Sequence, residues 1–332
     1  MISSFIGDAN VISSVYTPAA IAALEAEAGL SPGFVLTKDS LKERPDAAAD
    51  TTYLFSTWGM PVFTEEEIAA YFPKLKALFY AAGSVQAFAR PFLHKGIRVF
   101  SAWAANAVPV AEFSAAQILL ANTGYFASSR LCQADYAAAR AAFQQFPGNY
   151  DCKVGILGAG MIGSLVIEQL RPHQLEILVF DPFLPDEKAA NMGVKKASLE
   201  QIFEECQTIS NHLANNAQTV GILDGQLFSR MRDTVTFINT GRGAQVVESD
   251  LCAALSKRPL ATAVLDVTWP EPPLPGHPFH SLPNVVLTPH IAGSSGQEVH
   301  RMGVYMLEEF RHVCNGEAVR YEVSEEMLQT MA

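Results

Sequence analysis

Cysteine is scarce in this chain, and what there is forms no framework. Cys132, Cys152, Cys206, Cys252 and Cys314 are odd in number, widely spaced and in no C-x-x-C pair. A disulfide scaffold and the common zinc spacings are therefore excluded, and no metal site is expected. Long apolar runs are absent too: none approaches the ~20 residues of a membrane span. The start, Met1-Ile2-Ser3-Ser4-Phe5, lacks the basic residues that open a signal peptide. A cytoplasmic protein with no membrane partner is the expectation. Positive charge is in short supply, with 23 Lys and Arg against 34 Asp and Glu, a net charge of −11. Nucleic acids and anionic membranes select basic surfaces, so neither is an expected partner. At 332 residues the chain exceeds the length at which single cores usually divide. Two domains are expected.

What the chain does have is concentrated between Lys153 and Asp181. Val154-Gly155-Ile156-Leu157 is a short apolar run suited to a buried parallel strand, and it ends in Gly158-Ala159-Gly160-Met161-Ile162-Gly163. A helical segment, Met161 to Leu170, leads to a second strand candidate, Ile177 to Phe180, closed by Asp181. The three glycines each answer a physical need. Gly158 makes the tight turn, Gly160 lets backbone approach a pyrophosphate, and Gly163 lets helix and strand pack closely. The N–H groups of Met161 and Ile162 at the helix start then face the phosphates. Asp181 lies 18 residues beyond Gly163, near the spacing of an acid that accepts hydrogen bonds from an adenosine ribose. This is a dinucleotide-binding signature.

Upstream, strands and helices alternate. Strands are expected near Phe5-Ile6, Thr52 to Ser56, Leu75 to Tyr80 and Ile97 to Phe100, with helices from Pro18 to Gly29 and from Thr64-Glu65-Glu66-Glu67 onward. Such alternation implies an open parallel sheet whose ligands gather beyond the carboxyl ends of the strands, which puts Trp58-Gly59 and Ala82-Gly83-Ser84 on one rim. Pro109 reads as a first-turn residue of a helix reaching about Tyr125, and Arg130 to Phe143 as a second helix. Further strands follow near Thr208, Val235 to Ile238, Thr262 to Leu265 and Val285 to Leu287. The helix from Glu298 to Asn315 is expected to pack back onto the N-terminal sheet. The expected division is thus 1–104 with 294–332, and 105–293.

Four blocks carry a resemblance: Gly158 to Asp181, Asn239-Thr240-Gly241-Arg242-Gly243, Leu265-Asp266-Val267-Thr268-Trp269-Pro270-Glu271-Pro272, and Leu282 to Gly293 with Thr288-Pro289-His290 at its centre. In this order and spacing the chain resembles the D-isomer-specific 2-hydroxyacid dehydrogenases. The likeness is good over about Asn106 to Gly293 and thinner upstream, where Ala82-Gly83-Ser84-Val85 looks like the family's glycine loop. It implies two doubly wound parallel-sheet α/β domains, a Rossmann NAD-binding domain and a discontinuous flavodoxin-like substrate domain, and a homodimer.

The resemblance also implies roles. Arg242 would bind substrate carboxylate and carbonyl, and His290, paired with Glu271, would act as general acid and base. Thr240 and Asp266 would border the cofactor together with the glycine loop and His290. Gly83 and Ser84 would hold the substrate carboxylate, with Trp58 beside them. The chemistry agrees with these roles. A planar guanidinium grips a carboxylate bidentately, and imidazole exchanges protons near neutral pH. Of the other histidines, His277 and His280 sit in a proline-rich stretch, and His94, His173, His300 and His312 have no partner motif. Asp181 would repel a 2′-phosphate, and Pro182-Phe183-Leu184-Pro185 offers no cation, so NAD is expected over NADP. Neither Thr51 to Pro61 nor Ala81 to Ala89 contains Lys or Arg, which points to a non-phosphorylated 2-oxo acid. Trp58, Phe55 and Phe88 are candidates to line its pocket. The segment Asn211-His212-Leu213-Ala214 departs from the family at Ala214, where a proline is usual. Two other readings stand beside the oxidoreductase: an NAD-sensing binding protein of corepressor type without turnover, and a formate dehydrogenase, whose branch of the family carries Gln in place of Glu271.

Overall fold

The computed structural model describes residues 2–329, so Met1 and the last three residues assigned to the C-terminal segment lie outside it. The chain divides into two compact units, Met1–Ala107 with Ser294–Ala332, and Val108–Gly293.

In the first unit the strands are β1 (Ser3–Ile6), β2 (Leu30–Leu36), β3 (Tyr53–Ser56), β4 (Ala77–Tyr80) and β5 (Arg98–Ser101). They lie parallel in the order β5-β4-β3-β1-β2, the doubly wound order of flavodoxin-like sheets, and the short strand Glu322–Val323 adds antiparallel to β5. Aromatic side chains fill the core. Phe55 stacks on Phe79 with ring centroids 5.1 Å apart, Phe79 on Phe100 at 4.8 Å, and Phe310 meets Phe55 and Phe79 edge-on. Phe310 comes from the helix Val299–Asn315, whose Met302, Met306 and Phe310 recur at helical spacing and are all buried. That apolar stripe brings the last long helix onto the N-terminal sheet. Truncating Phe310 to Ala would cost about 3–5 kcal/mol.

In the second unit the strands are β6 (Tyr150–Leu157), β7 (Gln174–Phe180), β8 (Lys195–Lys196), β9 (Thr208–Asn211), β10 (Thr236–Asn239), β11 (Thr262–Leu265) and β12 (Val285–Leu287). Their order is β12-β11-β10-β9-β6-β7-β8, all parallel. The direction of winding reverses between β6 and β9, and a Rossmann sheet takes its dinucleotide at such a switch point.

Three expectations need correction. Pro109 is not in a first turn: the helix runs Trp103–Asn122 and Pro109 lies inside it. Proline at position 109 lacks the N–H that would reach back one turn and its ring crowds the carbonyl there, and the packing of Ala111, Ala115 and Ile118 in the second unit's core offsets that cost. Second, this 20-residue helix is long and apolar enough to cross a membrane by length and composition, contrary to the expectation of no such run; half of its apolar window is buried inside the protein. Third, Arg130 to Phe143 is two helices, Tyr125–Cys132 and Tyr136–Phe143, because the carboxylate of Asp135 accepts the N–H of Ala138 and starts a new N-terminus. The pattern reading also missed β2, whose Ser31 to Phe34 are exposed and show no alternation.

Candidate active site

The glycine turn after β6 is built as its spacing implies. Gly158 has φ +88°, in the left-handed region, and donates its N–H to Phe180 O at 2.8 Å. A Cβ at Gly158 would stand 2.7 Å from the carbonyl oxygen of His212, and one at Gly163 would overlap the carbonyl of Gly158, whereas at Gly160 there is open space. Gly158 and Gly163 are thus fixed by protein contacts, and Gly160 is the position left for a ligand to approach. Helix Met161–Leu170 starts with no side-chain cap and no acid in its first turn, so the Met161 and Ile162 amides offer an uncompensated positive end. Met161 is half exposed there, while Ile162 packs on the core. Asp181 turns its carboxylate back onto the turn, accepting the N–H of Ala159 and of Phe183, both at 2.8 Å. Each oxygen keeps a further lone pair for a ribose hydroxyl. This cradle fits a dinucleotide.

Across the switch point, β9 and β10 end in a buried polar cluster. His212 faces Ser210 Oγ at 2.9 Å through Nε2 and Thr240 Oγ1 at 3.4 Å through Nδ1, and Thr240 meets Ser114 Oγ at 3.2 Å. Burial pushes the His212 ring down to about 3, so it is neutral at working pH. Thr240 is buried with it.

The proposed chemical groups sit at the ends of β10, β11 and β12. His290 follows β12 with φ +55°, a left-handed backbone that costs a histidine on the order of 1 kcal/mol and is held from outside. Asp266 is the holder. Its carbonyl accepts the His290 N–H at 3.0 Å, and its buried carboxylate accepts Ile291 N (2.8 Å), Ala292 N (2.9 Å) and Thr288 Oγ1 (2.6 Å). Glu271 Oε1 lies 2.6 Å from His290 Nδ1, and both side chains are exposed at the rim. Arg242 is half-buried and donates from Nη1 to its neighbour Gly241 O at 2.8 Å. Burial pushes its guanidinium below the usual arginine range, and the negative charge of Glu271 offsets only part of that. Gly243 lies directly against Thr268, where a Cβ would overlap backbone, so the arginine loop and the loop carrying Glu271 are packed together.

In the first unit, Trp58 and Ser84 are exposed and Gly83 half-buried. Ser101 Oγ binds the carbonyls of Ala82 (2.9 Å) and Gly83 (2.5 Å), and among the described residues nothing accepts from the N–H groups of Gly83 and Ser84. With their carbonyls tied down, these amides are free to donate, and paired backbone N–H groups of this kind suit an anion. Phe55 and Phe88 do not line a pocket; both are buried, Phe55 on Phe79 and Phe88 against Tyr80.

Two of the four histidines read as having no partner motif, and one of the pair in the proline-rich stretch, have carboxylates in space. His94 joins Glu65 and Glu325, His312 meets Glu309 and Glu317, and His277 meets Glu248. Sequence reading also missed Asp266 as support for the His290 turn, Ser101 under the Gly83 loop, and Gln245. No local pattern signals any of the three, because each partner is distant in sequence. Among the described residues no group of three or more His, Cys, Asp or Glu could hold a metal.

The family model for the NAD-binding domain of D-isomer specific 2-hydroxyacid dehydrogenases matches residues 117–292. The D-3-phosphoglycerate dehydrogenase of Archaeoglobus fulgidus is 30% identical over 234 residues, 69% of this chain and 43% of that one. That of Mycobacterium bovis is 28% identical over 260 residues, 77% of this chain and 48% of that one. The chain spans about half the length of the curated relatives it matches. The NAD-complexed D-isomer specific 2-hydroxyacid dehydrogenase of Lactobacillus delbrueckii ssp. bulgaricus shares the fold, with a TM-score of 0.74 at 18% identity over 97% of this chain and 99% of that one.

Proposed function

The chain belongs to the D-isomer-specific 2-hydroxyacid dehydrogenase family, and on that premise we propose that it interconverts a non-phosphorylated 2-oxo acid and its D-2-hydroxy acid. The matched region is the family's NAD-binding domain, and NAD is the cofactor. When bound, the nicotinamide supplies or accepts the hydride. The remaining work falls to this chain's residues. Arg242 binds the substrate carboxylate and polarises the adjacent carbonyl, and its partial burial strengthens both contacts. His290 delivers a proton from Nε2 to the oxygen that becomes the hydroxyl, and takes it back in the reverse direction. Glu271, on Nδ1, fixes the tautomer and stabilises the protonated ring. Gly83 and Ser84, after β4, offer backbone N–H groups suited to a carboxylate, and Trp58 is exposed beyond the end of the neighbouring β3.

The observation that carries the reading is the 2.6 Å pair of Glu271 and His290, with the half-buried Arg242 within reach of the same negative charge. Support for NAD over NADP comes from Asp181 and the lack of Lys or Arg from Pro182 to Pro185. A non-phosphorylated substrate is supported by the cation-free segments Thr51 to Pro61 and Ala81 to Ala89. The nearest cation, Arg90, is already engaged by Gln86 Oε1 and Leu328 O. We also propose a homodimer, to be checked by light scattering.

The test is a panel of 2-oxo acids with NADH: glyoxylate, pyruvate, hydroxypyruvate, 2-oxobutyrate and phenylpyruvate, followed at the nicotinamide absorbance. Reduction of at least one to the D-hydroxy acid is expected. NADH binding without turnover of any would favour an NAD-sensing protein instead.

A further inference from the structure

Three carboxamide side chains close a buried ring around the backbone of Arg242. Asn211 ends β9, Asn239 ends β10, and Gln245 stands in the turn Gly243–Gln245; they are 0%, 1% and 0% exposed. Asn211 Nδ2 donates to Asn239 Oδ1 at 3.0 Å and to Gln245 Oε1 at 2.7 Å. Gln245 Oε1 also accepts the Arg242 N–H at 3.2 Å, and Asn239 Nδ2 donates to the Arg242 carbonyl at 3.3 Å. Asn239 Oδ1 takes the Gly241 N–H at 3.1 Å. Both backbone polar groups of Arg242 are therefore held by buried side chains.

Two of the three amides also reach the other way. Gln245 Nε2 donates to the carbonyls of Leu213 (2.9 Å) and Ala214 (3.0 Å), and Asn211 Oδ1 accepts the N–H of Leu213 at 3.2 Å. Leu213 and Ala214 follow His212, whose carbonyl packs on the Gly158 turn. A single set of hydrogen bonds thus ties the arginine loop to the segment beside the dinucleotide cradle. The ring has one satisfiable polarity: reversing any amide would set two donors or two acceptors against each other, which is costly in a buried site.

We propose that Asn211 and Gln245 are positioning residues for the reaction. They set the direction of the Arg242 guanidinium and lock it to the position of the Leu213-Ala214 segment. The proposal rests on the role given to Arg242 above. A ring that served only the fold would be indifferent to what side chain 242 carries; a ring that acts through Arg242 would not.

The experiment is a double-mutant cycle on the full chain, with NADH and whichever 2-oxo acid of the panel is reduced fastest. Asn211→Leu, near in shape, is expected to lower kcat/KM on the order of 10-fold in the parent. In an Arg242→Lys background, already impaired, it should lower it by less than about 2-fold, because a misdirected lysine has no fixed fork to lose. NADH affinity, read from fluorescence, should weaken in Asn211→Leu and not in Arg242→Lys. Circular dichroism checks that each variant is folded. If Asn211→Leu does not fold, Gln245→Met is read in its place, and if neither folds the ring is a folding element and the proposal is overturned. Equal factors for Asn211→Leu in both backgrounds overturn it as well while leaving the Arg242 reading intact. Full activity in Arg242→Lys, or no turnover of any acid in the panel, overturns the reading of the site and this proposal with it.

Discussion

Glu271 Oε1 lies 2.6 Å from Nδ1 of His290, on a ring whose Nε2 has no hydrogen-bond partner among the described residues. One nitrogen is thereby committed to the protein and the other is open, as the proposed proton transfer requires. The contact also decides which tautomer a neutral ring adopts: the proton sits on Nδ1, leaving Nε2 as a base.

Glu271→Gln tests the pair. An amide can still accept from Nδ1 but cannot stabilise the charged ring, and a hydrogen bond to an ionised group contributes ~1.5–3 kcal/mol, so kcat/KM should fall roughly 10- to 10²-fold. In kcat/KM for the two acids both directions must fall by the same factor at a given pH, since the overall equilibrium belongs to the reactants and the binding of NADH and NAD is expected to be untouched. Steady-state rates in both directions, with NADH affinity measured separately, check this. A loss confined to NADH binding would remove Glu271 from proton transfer.

Arg242→Lys keeps the charge and discards the fork. If the guanidinium binds carboxylate and carbonyl together, kcat/KM for the 2-oxo acid should drop on the order of 10²-fold or more, while NADH affinity barely changes. Parallel losses in turnover and NADH binding would instead place Arg242 in the service of the cofactor or fold.

Asp181→Ala combined with Pro182→Arg should move the ratio of kcat/KM for NADPH over NADH upward, because a repelling carboxylate is replaced by a cation beside the 2′ position. The structure adds a second consequence. Asp181 also holds the N–H groups of Ala159 and Phe183, so affinity for both cofactors should fall somewhat even as preference shifts. An unchanged ratio would disprove the assignment of Asp181 to the ribose.

His212 makes stability depend on acid. Its folded value is pushed down to about 3 by burial, below the ~6.5 of an exposed histidine. Between those values the unfolded chain binds a proton that the folded chain refuses. Stability from this group is therefore complete above about pH 6.5 and is lost as pH falls toward 3. At pH 5 the loss is about 2 kcal/mol relative to pH 7. In His212→Asn the drop in Tm between pH 7 and 5 should be visibly shallower than in the parent. Parallel Tm–pH curves for the two proteins would refute a neutral buried His212.

Much of the site was legible because its signals are local. Gly158, Gly160 and Gly163 announce a turn whose φ and clearances follow from three neighbouring positions, and Asp181 closes a strand–helix–strand unit of fixed length. The strands from Tyr53 to Ser56 and from Thr262 to Leu265 are short apolar runs buried on both faces, as parallel strands must be. Local reading failed where tertiary contacts overrule it. Pro109 is carried through a helix interior by the packing of Ala111, Ala115 and Ile118, and β2 pairs with β1 along an edge that needs no apolar alternation.

The sequence by itself determined the dinucleotide turn, the family, and the identity of Arg242, Glu271 and His290 as the residues to propose, because residue type and spacing along one chain suffice for each. Only the tertiary structure decided how those side chains are held. Asp266 caps the His290 turn across more than 20 residues, and Asn211 at the end of β9 meets Gln245 in the turn after β10, 34 positions away. Such contacts are set by the order of strands in a sheet, and a hydrogen bond formed between distant segments leaves no period or motif in either one.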